Sequence, residues 1–142
     1  MPNPVTAVAT WQDVFQREIC AFLNNLEELA TYIRKHPNDR SFETTGKVYR
    51  GMMVIWAQVE RIREIGLDMV AQAPKSPIVA ERRDYWFIRA LADQTEFEDE
   101  CDRMEFELDS MAKKVFRREI DNLWVAAFLE SESVHLAGEF GL

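Results

Sequence analysis

The chain has 142 residues, of which 47% are hydrophobic and 11% aromatic, and its formal net charge at pH 7 is −8. This length and apolar content exclude an intrinsically disordered chain and predict a single domain over residues 1–142 with its own core. A sequence pI near 4.8 disfavours direct nucleic-acid binding, which needs concentrated positive charge.

The sequence also argues against a membrane or secreted protein. No apolar run reaches the length of about 18 residues that a membrane span needs, and the N-terminus lacks the pattern of a secretory signal. We therefore expect a cytoplasmic protein without membrane contact. Cys20 and Cys101 each fall among apolar residues at helical spacing, so we expect two buried thiols rather than a disulfide or a zinc site.

The first predicted helix follows a flexible leader over residues 1–9, which Pro2 and Pro4 indicate. Thr10 can cap this helix. The helix should end near Lys35, because His36 precedes a proline and a turn follows. Its apolar face consists of Trp11, Phe15, Ile19, Phe22, Leu26 and Ile33.

The second predicted helix starts between Phe42 and Lys47 and runs to about Gln72. Gly51 and Gly66 lie inside it, and each costs about 1 kcal/mol relative to alanine. We therefore expect another helix to cross closely at both glycines. Residues 73–77 then predict a break, with a new helix from Pro77. The apolar stripe of the second helix is Val48, Met52, Ile55, Val59, Ile62 and Met69.

The stretch from Ile78 to Ala137 contains neither glycine nor proline and predicts helix. An apolar heptad seam favours one long helix to about residue 117, whereas residues 95–98 have the pattern of a capping box that could start a new helix. After Val115 the stripe slips, which predicts a kink or a fresh helix near residues 116–121. The seam is Phe87, Ala90, Gln94, Phe97, Cys101, Met104, Leu108, Met111 and Val115.

The last predicted helix is apolar on every side over residues 123–129. Such a helix must be covered, either at the centre of the bundle or by a second copy of the chain. Together the elements predict an all-α fold, an antiparallel bundle of four to five helices with one or two long helices. Leftover apolar surface predicts a homodimer.

The charge of the chain is concentrated in residues 93–109, which hold nine acids and a single base, Arg103. The formal charge of this segment, −8, equals that of the whole chain. Like charges four residues apart destabilise an isolated helix by roughly 0.2–0.5 kcal/mol per pair, so local helix stability does not explain them. Four of the acids fall in one narrow stripe beside the seam: Glu98, Asp102, Glu105 and Asp109.

Phe106 lies on the side of this helix opposite the seam, beside Asp99, Asp102 and Arg103. An aromatic side chain ringed by charge is typical of a binding anchor. The alternative is that the helix is central and buries Phe106 in the core.

Three explanations of the acidic stripe remain open. It could pair with bases of the same chain, Arg61 and Arg63 or the group Lys113, Lys114, Arg117 and Arg118, at little gain per pair. It could dock a basic protein partner, whose encounter complementary charge would accelerate. It could also imitate nucleic acid, because nine acids over about 25 Å of helix give one charge per roughly 2.8 Å, close to the spacing of about 3.4 Å between phosphates of one strand.

We expect a non-catalytic protein-binding module, namely an inhibitor, immunity-type or adaptor protein. Its acidic helix would block a basic surface of a partner protein, for example one that binds nucleic acid. The alternative is a structural module that homo-oligomerises and uses its acids for solubility. The expected partner-binding residues are Glu98, Asp99, Asp102, Glu105, Phe106 and Asp109.

Enzymatic alternatives depend on two partial motifs, and we expect no cofactor and no metal. Glu132 and His135 form an E-x-x-H pair that resembles one half of the site in ferritin-like di-iron bundles. The other histidine, His36, has Ile33 in place of the required carboxylate. The E-x-x-D pair over residues 81–84 resembles one element of the magnesium-dependent all-helical nucleotide pyrophosphohydrolases. Their E-x-x-E element is not matched, because Glu60 and Glu64 stand four apart.

Overall fold

A computed structural model describes residues 4–72 and 94–139, and within these ranges the chain is helical without β-strands. The helices are α1 (Pro4–Lys35), α2 (Phe42–Gln72), α3 (Gln94–Phe116) and α4 (Asn122–Glu139). The predicted all-α class is confirmed for this part of the chain, in which the helices number four. The predicted break at residues 73–77 and the seam residues Phe87 and Ala90 lie outside the described residues. Within the described ranges, no helix combines the length and apolar character that crossing a bilayer requires.

The start of α1 differs from the prediction. The helix begins at Pro4, so a flexible leader over residues 1–9 with Thr10 as the cap is wrong for residues 4–9. Proline has the backbone angle of the first helical turn and lacks only an N–H that has no partner there. Because no helix breaker separates Pro4 from Thr10, the helix continues through the threonine.

Side chains of the preceding turn cap the start of α2. Ser41 Oγ accepts a hydrogen bond from the Thr44 N–H at 3.2 Å. The Asp39 carboxylate accepts from Thr44 Oγ1 at 2.6 Å and from the Ser41 N–H at 2.9 Å. These hydrogen bonds, that from Thr44 first, lower the pKa of Asp39 to about 2. The predicted start of the second helix is therefore confirmed, and Ser41 is its N-cap.

The predicted interruption near residues 116–121 is confirmed. Arg118 has a φ of 58°, in the left-handed region. Its N–H donates to the Val115 carbonyl at 3.0 Å, and the Glu119 N–H donates to the Lys114 carbonyl at 2.8 Å. This pair of bonds is the Schellman motif, which ends a helix at a left-handed residue. Asp121 then caps α4 by accepting from the Leu123 N–H at 3.3 Å.

Contacts between helices define an antiparallel bundle. Along α1, Glu18, Asn25 and Leu29 lie against Arg61, Gln58 and Gly51 of α2, so these two helices run in opposite directions. The contacts Arg63–Asp102 and Tyr49–Phe116 show that α2 and α3 also run in opposite directions. The contacts Glu27–Ser133 and Arg34–Glu130 show the same for α1 and α4. The residues of the predicted α1 and α2 faces whose burial is described form the core; Trp11 and Met69 are not among them. The largest fully buried side chains of this core are Phe15, Ile19, Leu26, Ile33, Val48, Met52, Ile55, Leu108 and Leu129.

The close helix crossings expected at two glycines are confirmed. A Cβ added to Gly66 would lie 2.5 Å from the ring of Phe97, and one added to Gly51 would lie 2.9 Å from a methyl group of Leu29.

The prediction of two buried cysteine thiols is correct for only one of them. Cys101 is buried, but Cys20 is exposed, because it stands one position beyond the buried Ile19 and so points away from the core. Burial raises the pKa of the Cys101 thiol to about 12.

Candidate functional site

The outward face of α3 is the side that points away from the buried seam. Phe106 stands two residues after the buried Met104, which corresponds to a rotation of about 200° on a helix, and it is 74% exposed. The alternative in which Phe106 belongs to the core is therefore wrong. The seam is confirmed from Phe97 onward, whereas Gln94 is exposed. The buried residues of α3 are Cys101, Met104, Leu108, Ala112 and Val115.

On the side of α3 that faces α2, several carboxylates surround one guanidinium. Arg63 contacts Asp102, lies 3.3 Å from Glu105 Oε1 and lies 3.9 Å from Glu60 Oε1. The side chains of Arg63 and Glu105 are only 22% and 13% exposed, whereas that of Asp102 is 64% exposed. Asp102 is thus open to solvent on its other side, and Glu105 is enclosed between the helices.

Glu105 is an unusual carboxylate within this cluster. Burial first, and then its hydrogen bond with Glu60, raise the pKa of Glu105 to about 7, although Arg63 opposes the shift. Glu105 Oε1 and Arg63 Nε are both buried and lack a hydrogen-bond partner among the described residues. The Arg63 and Glu105 side chains are therefore close together, but two of their buried hydrogen-bonding atoms have no hydrogen-bond partner among the described residues.

On the side of α3 that faces α4, Arg103 links the two helices. Its Nη1 donates to Glu107 at 2.8 Å and to Glu132 at 3.1 Å, and its Nη2 donates to Glu100 at 2.5 Å. These hydrogen bonds, first that to Glu100 and then that to Glu132, raise the pKa of Arg103. The base inside the acidic segment thus binds acids on its own helix and connects α3 to α4.

Pairing within the chain explains part of the acidic segment. Lys113 binds Asp109 at 2.9 Å. Together, Arg63, Arg103 and Lys113 contact seven carboxylates: Glu60, Glu100, Asp102, Glu105, Glu107, Asp109 and Glu132. Glu98 and Asp99 form no ion pair with any described residue. Among the described residues, the first explanation of the stripe therefore holds for some acids and leaves an excess of negative charge.

The cations proposed from the sequence divide into three groups. Arg63 and Lys113 bind acids of α3, whereas Arg61 binds Glu18 of α1 at 3.2 Å. Lys114, Arg117 and Arg118 make no ion pair within the part of the chain that the structure describes. They form exposed positive charge at the end of α3.

The structure brings most of the predicted partner-binding residues to one face. Asp99, Asp102 and Phe106 are exposed on the outer side of α3, and Asp109 lies half-exposed beside them. Glu98 is half-buried at the edge of this face. Glu105 does not belong to it, because its side chain turns towards Arg63.

The residues of the two partial enzyme motifs occupy separate places. Glu132 is bound by Arg103, and His135 is exposed. His36 lies at the end of α1, where its Nδ1 is 3.0 Å from the Tyr32 carbonyl. Within the described ranges, no group of three or more His, Cys, Asp or Glu side chains is placed to hold a metal ion. The E-x-x-D pair at residues 81–84 lies outside the described residues.

A second surface feature was not predicted from the sequence. A groove of about 500 Å³ opens between the start of α2 and the end of α3, lined by Phe42, Glu43, Thr45, Gly46, Tyr49, Arg50, Phe116 and Arg118. Phe42 and Phe116 are 80% and 63% exposed. The groove joins helix ends that are distant in the chain, so neither apolar periodicity nor charge patterning indicates it.

The outward face of α3 offers a large exposed aromatic side chain with acids around it, and the groove offers aromatic side chains with arginines. At protein–protein interfaces in general, an exposed aromatic side chain supplies binding energy and the charge around it selects the partner. Comparison of the chain with protein-family models, with curated proteins and with solved structures finds no match in any of the three.

Proposed function

We propose that this protein is a non-catalytic, cytoplasmic protein-binding module, an inhibitor, immunity-type or adaptor protein, which docks a basic partner on the outward face of α3. The observation that carries the proposal is the 74% exposure of Phe106 at the outermost position of an acidic helix. Leaving a phenylalanine in water forgoes about 1.5–3 kcal/mol of burial energy. A partner that covers Phe106 would recover that energy on binding.

The charge around Phe106 specifies the kind of partner. Asp102 and Asp109 stand one helical turn before and after it, and Asp99 lies one turn further towards the N-terminus. Among the described residues, the cations in contact with this segment, Arg63, Arg103 and Lys113, are fewer than its acids, which leaves the described face negative. Complementary charge speeds encounter and excludes partners of the wrong sign. A basic surface is therefore the best match.

The finer form of the proposal is that the partner's basic surface normally binds nucleic acid. Its support is the charge density of residues 93–109, which is close to that of a single strand. Competition would test this form. Single-stranded DNA added to the complex should displace the protein from its partner, whereas the uncharged polymer polyethylene glycol should not.

The variants that test the outward face must avoid residues that hold the bundle together. Asp102 and Glu105 bind Arg63, so their reversal would disturb the fold as well as the surface. Phe106→Ala and the double variant Glu98→Lys/Asp99→Lys change side chains that form no ion pair or hydrogen bond with another described helix. Trp124→Ala is the matched control, because Trp124 of α4 is 70% exposed.

The experiment is quantitative capture of partners from an extract of the native host on immobilised protein. We expect the wild type and Trp124→Ala to capture the same basic protein. Phe106→Ala and Glu98→Lys/Asp99→Lys should each capture at least tenfold less of it. Glu28→Lys/Glu64→Lys controls for net charge, since both acids are exposed on other helices. Equal capture by all variants would overturn the acidic-face proposal.

The second candidate is a structural module that homo-oligomerises. Its specific support is the set of exposed apolar side chains on other faces, including Val54 of α2 and Trp124 and Val134 of α4. Light scattering separates the two candidates. A large closed assembly favours the structural module, whereas a monomer or a dimer is consistent with the binding module.

A further inference from the structure

The groove between α2 and α3 has the character of a receptor for an aromatic side chain. The rings of Tyr49 and Phe116 lie 5.5 Å apart at a tilt of 52°. Phe42 forms the other apolar part of its lining. A volume of about 500 Å³ accommodates a phenylalanine together with part of its helix. Aromatic side chains prefer such tilted or offset neighbours, which add about 0.5–1.5 kcal/mol to the energy of area burial.

The charge at the groove is positive. Arg50 and Arg118 line it, both are exposed, and neither forms an ion pair with a described residue. Glu43 also lines the groove, but Lys47 lies 3.8 Å from its carboxylate. An occupant should therefore carry an aromatic side chain with negative charges beside it.

The same chain displays a segment with that chemistry. Phe106 on α3 is accompanied by Asp99, Asp102 and Asp109. It lies ten residues before Phe116 on the same helix, a rise of about 15 Å. The aromatic side chain and the groove of one molecule therefore cannot meet each other, but they can meet in a pair of molecules.

We propose that the occupant of the groove is a second copy of this chain, bound through antiparallel pairing of the two α3 helices. With a two-fold axis level with Met111, each Phe106 lies opposite the partner's Phe116. The same register places each Asp109 opposite the partner's Lys113. It also brings Asp102 within one turn of the partner's Arg117. A two-fold interface forms every such contact twice.

This dimer rests on the proposed function to the extent that both use the outward face of α3. It has a consequence for that function, because the dimer covers Phe106. Self-association and capture of a basic partner would therefore compete. The protein would present its acidic face when it is dilute or when the partner is abundant, and mask it when it is concentrated.

A charge exchange tests the proposed pairing with the full-length chain. Lys113→Glu/Arg118→Glu makes the end of α3 beside the groove acidic, and Asp99→Lys/Asp109→Lys makes the face around Phe106 basic. In a dimer of either variant alone, like charges would face each other at both halves of the two-fold interface. An equimolar mixture of the two variants restores opposite charges at both halves. Analytical ultracentrifugation over a range of concentrations measures the association.

We expect the wild type to dimerise, each variant alone to dimerise at least tenfold more weakly, and the mixture to form a heterodimer of near wild-type affinity. Trp124→Ala, on another face, should dimerise like the wild type. Arg118→Gly, which suits the left-handed backbone at this position, provides a second groove variant that keeps the fold and should also weaken the dimer.

Two results would overturn the inference. One is a wild-type chain that stays monomeric at its highest attainable concentration, and the other is a dimer that Trp124→Ala disrupts and the charge reversals leave intact. Either failure is distinguishable from failure of the proposed function. A monomeric wild type that captures a basic partner through Phe106 would retain the function and exclude the dimer.

Discussion

Arg63 of α2 and Glu105 of α3 face each other with 3.3 Å between Nη2 and Oε1, yet this ion pair does not keep Glu105 in its usual charge state. Burial and the neighbouring Glu60 raise the pKa of Glu105 from 4.5 to about 7, against the attraction of Arg63. Burying a carboxylate is costly unless its hydrogen bonds are satisfied, and Oε1 lacks a hydrogen-bond partner among the described residues. The α2–α3 interface therefore contains a group that titrates near neutral pH.

Glu105→Gln should remove a pH-dependent loss of stability. Because the folded-state pKa is raised, the contribution of Glu105 to stability is fully present below about pH 4.5 and is lost as the pH rises through about 7. The free energy of unfolding of Glu105→Gln relative to the wild type should thus increase by about 1–2 kcal/mol between about pH 5 and about pH 8. Urea unfolding at the two pH values measures this difference.

Glu64→Gln is the control for this titration, since Glu64 is an exposed acid on α2, the helix that faces Glu105. Its effect should stay within about 0.5 kcal/mol at both pH values. A relative stability of Glu105→Gln that does not change with pH would show that Glu105 is ionised throughout this range.

Gly66→Ala tests the close approach of α2 and α3. The new Cβ would lie 2.5 and 2.7 Å from two atoms of the Phe97 ring and 3.2 Å from Phe15, so the rings must move. The overpacking should cost about 1–3 kcal/mol in free energy of unfolding, which outweighs the gain of about 1 kcal/mol from the better helix propensity of alanine. We expect a net loss of about 1–2 kcal/mol in chemical unfolding. In Gly46→Ala the new Cβ would lie 3.9 Å from the Arg50 side chain, an ordinary van der Waals contact, so this variant should be stabilising. Equal gains in both variants would contradict this packing.

Much of the fold could be predicted because apolar spacing and helix breakers act locally. The faces of α1 and α2, the end of α1 before Pro37 and the break after Phe116 follow from such signals. The start of α1 was missed because both Thr10 and Pro4 are compatible with a first turn. Local rules alone do not choose between two permitted starts.

The candidate site could be predicted only in part. Helical spacing placed Phe106 opposite the seam and the acids beside it, but the neighbouring helix decides which cation reaches which acid. Arg61 and Arg63 were equivalent in the sequence, although a step of about 200° separates two such positions on a helix. Arg63 therefore points to α3, whereas Arg61 points to Glu18 of α1. The aromatic groove had no local signal, since helix ends from distant parts of the chain form it.

Ser41→Ala tests the cap of α2. The hydroxyl of Ser41 accepts a hydrogen bond from the Thr44 N–H, which has no partner within the helix. Its removal should lower the free energy of unfolding by about 1 kcal/mol. Ser131→Ala is the control, because Ser131 is exposed inside α4 and alanine is the better helix former there. A Ser41→Ala variant as stable as Ser131→Ala would contradict the capping role.

Arg118→Gly should stabilise the monomer. A residue other than glycine with a φ of 58° carries a steric cost of about 1–2 kcal/mol, part of which glycine avoids. We expect a gain of about 0.5–1 kcal/mol in thermal unfolding of dilute protein. Arg117→Gly, one residue earlier and without a positive φ, should instead lose about 0.5–1 kcal/mol. A loss in both variants would mean that the Arg118 side chain contributes more than its backbone costs.

Phe106→Ala should leave the stability of the dilute monomer unchanged within about 0.5 kcal/mol, because a side chain that is 74% exposed loses little burial energy when it is shortened. Phe15→Ala is the matched contrast. Phe15 is 1% exposed, and its truncation should cost about 3–5 kcal/mol. Urea unfolding at low protein concentration measures both. A loss above about 2 kcal/mol for Phe106→Ala would place the ring inside the monomer's packing. Loss of partner capture by that variant would then report unfolding rather than recognition.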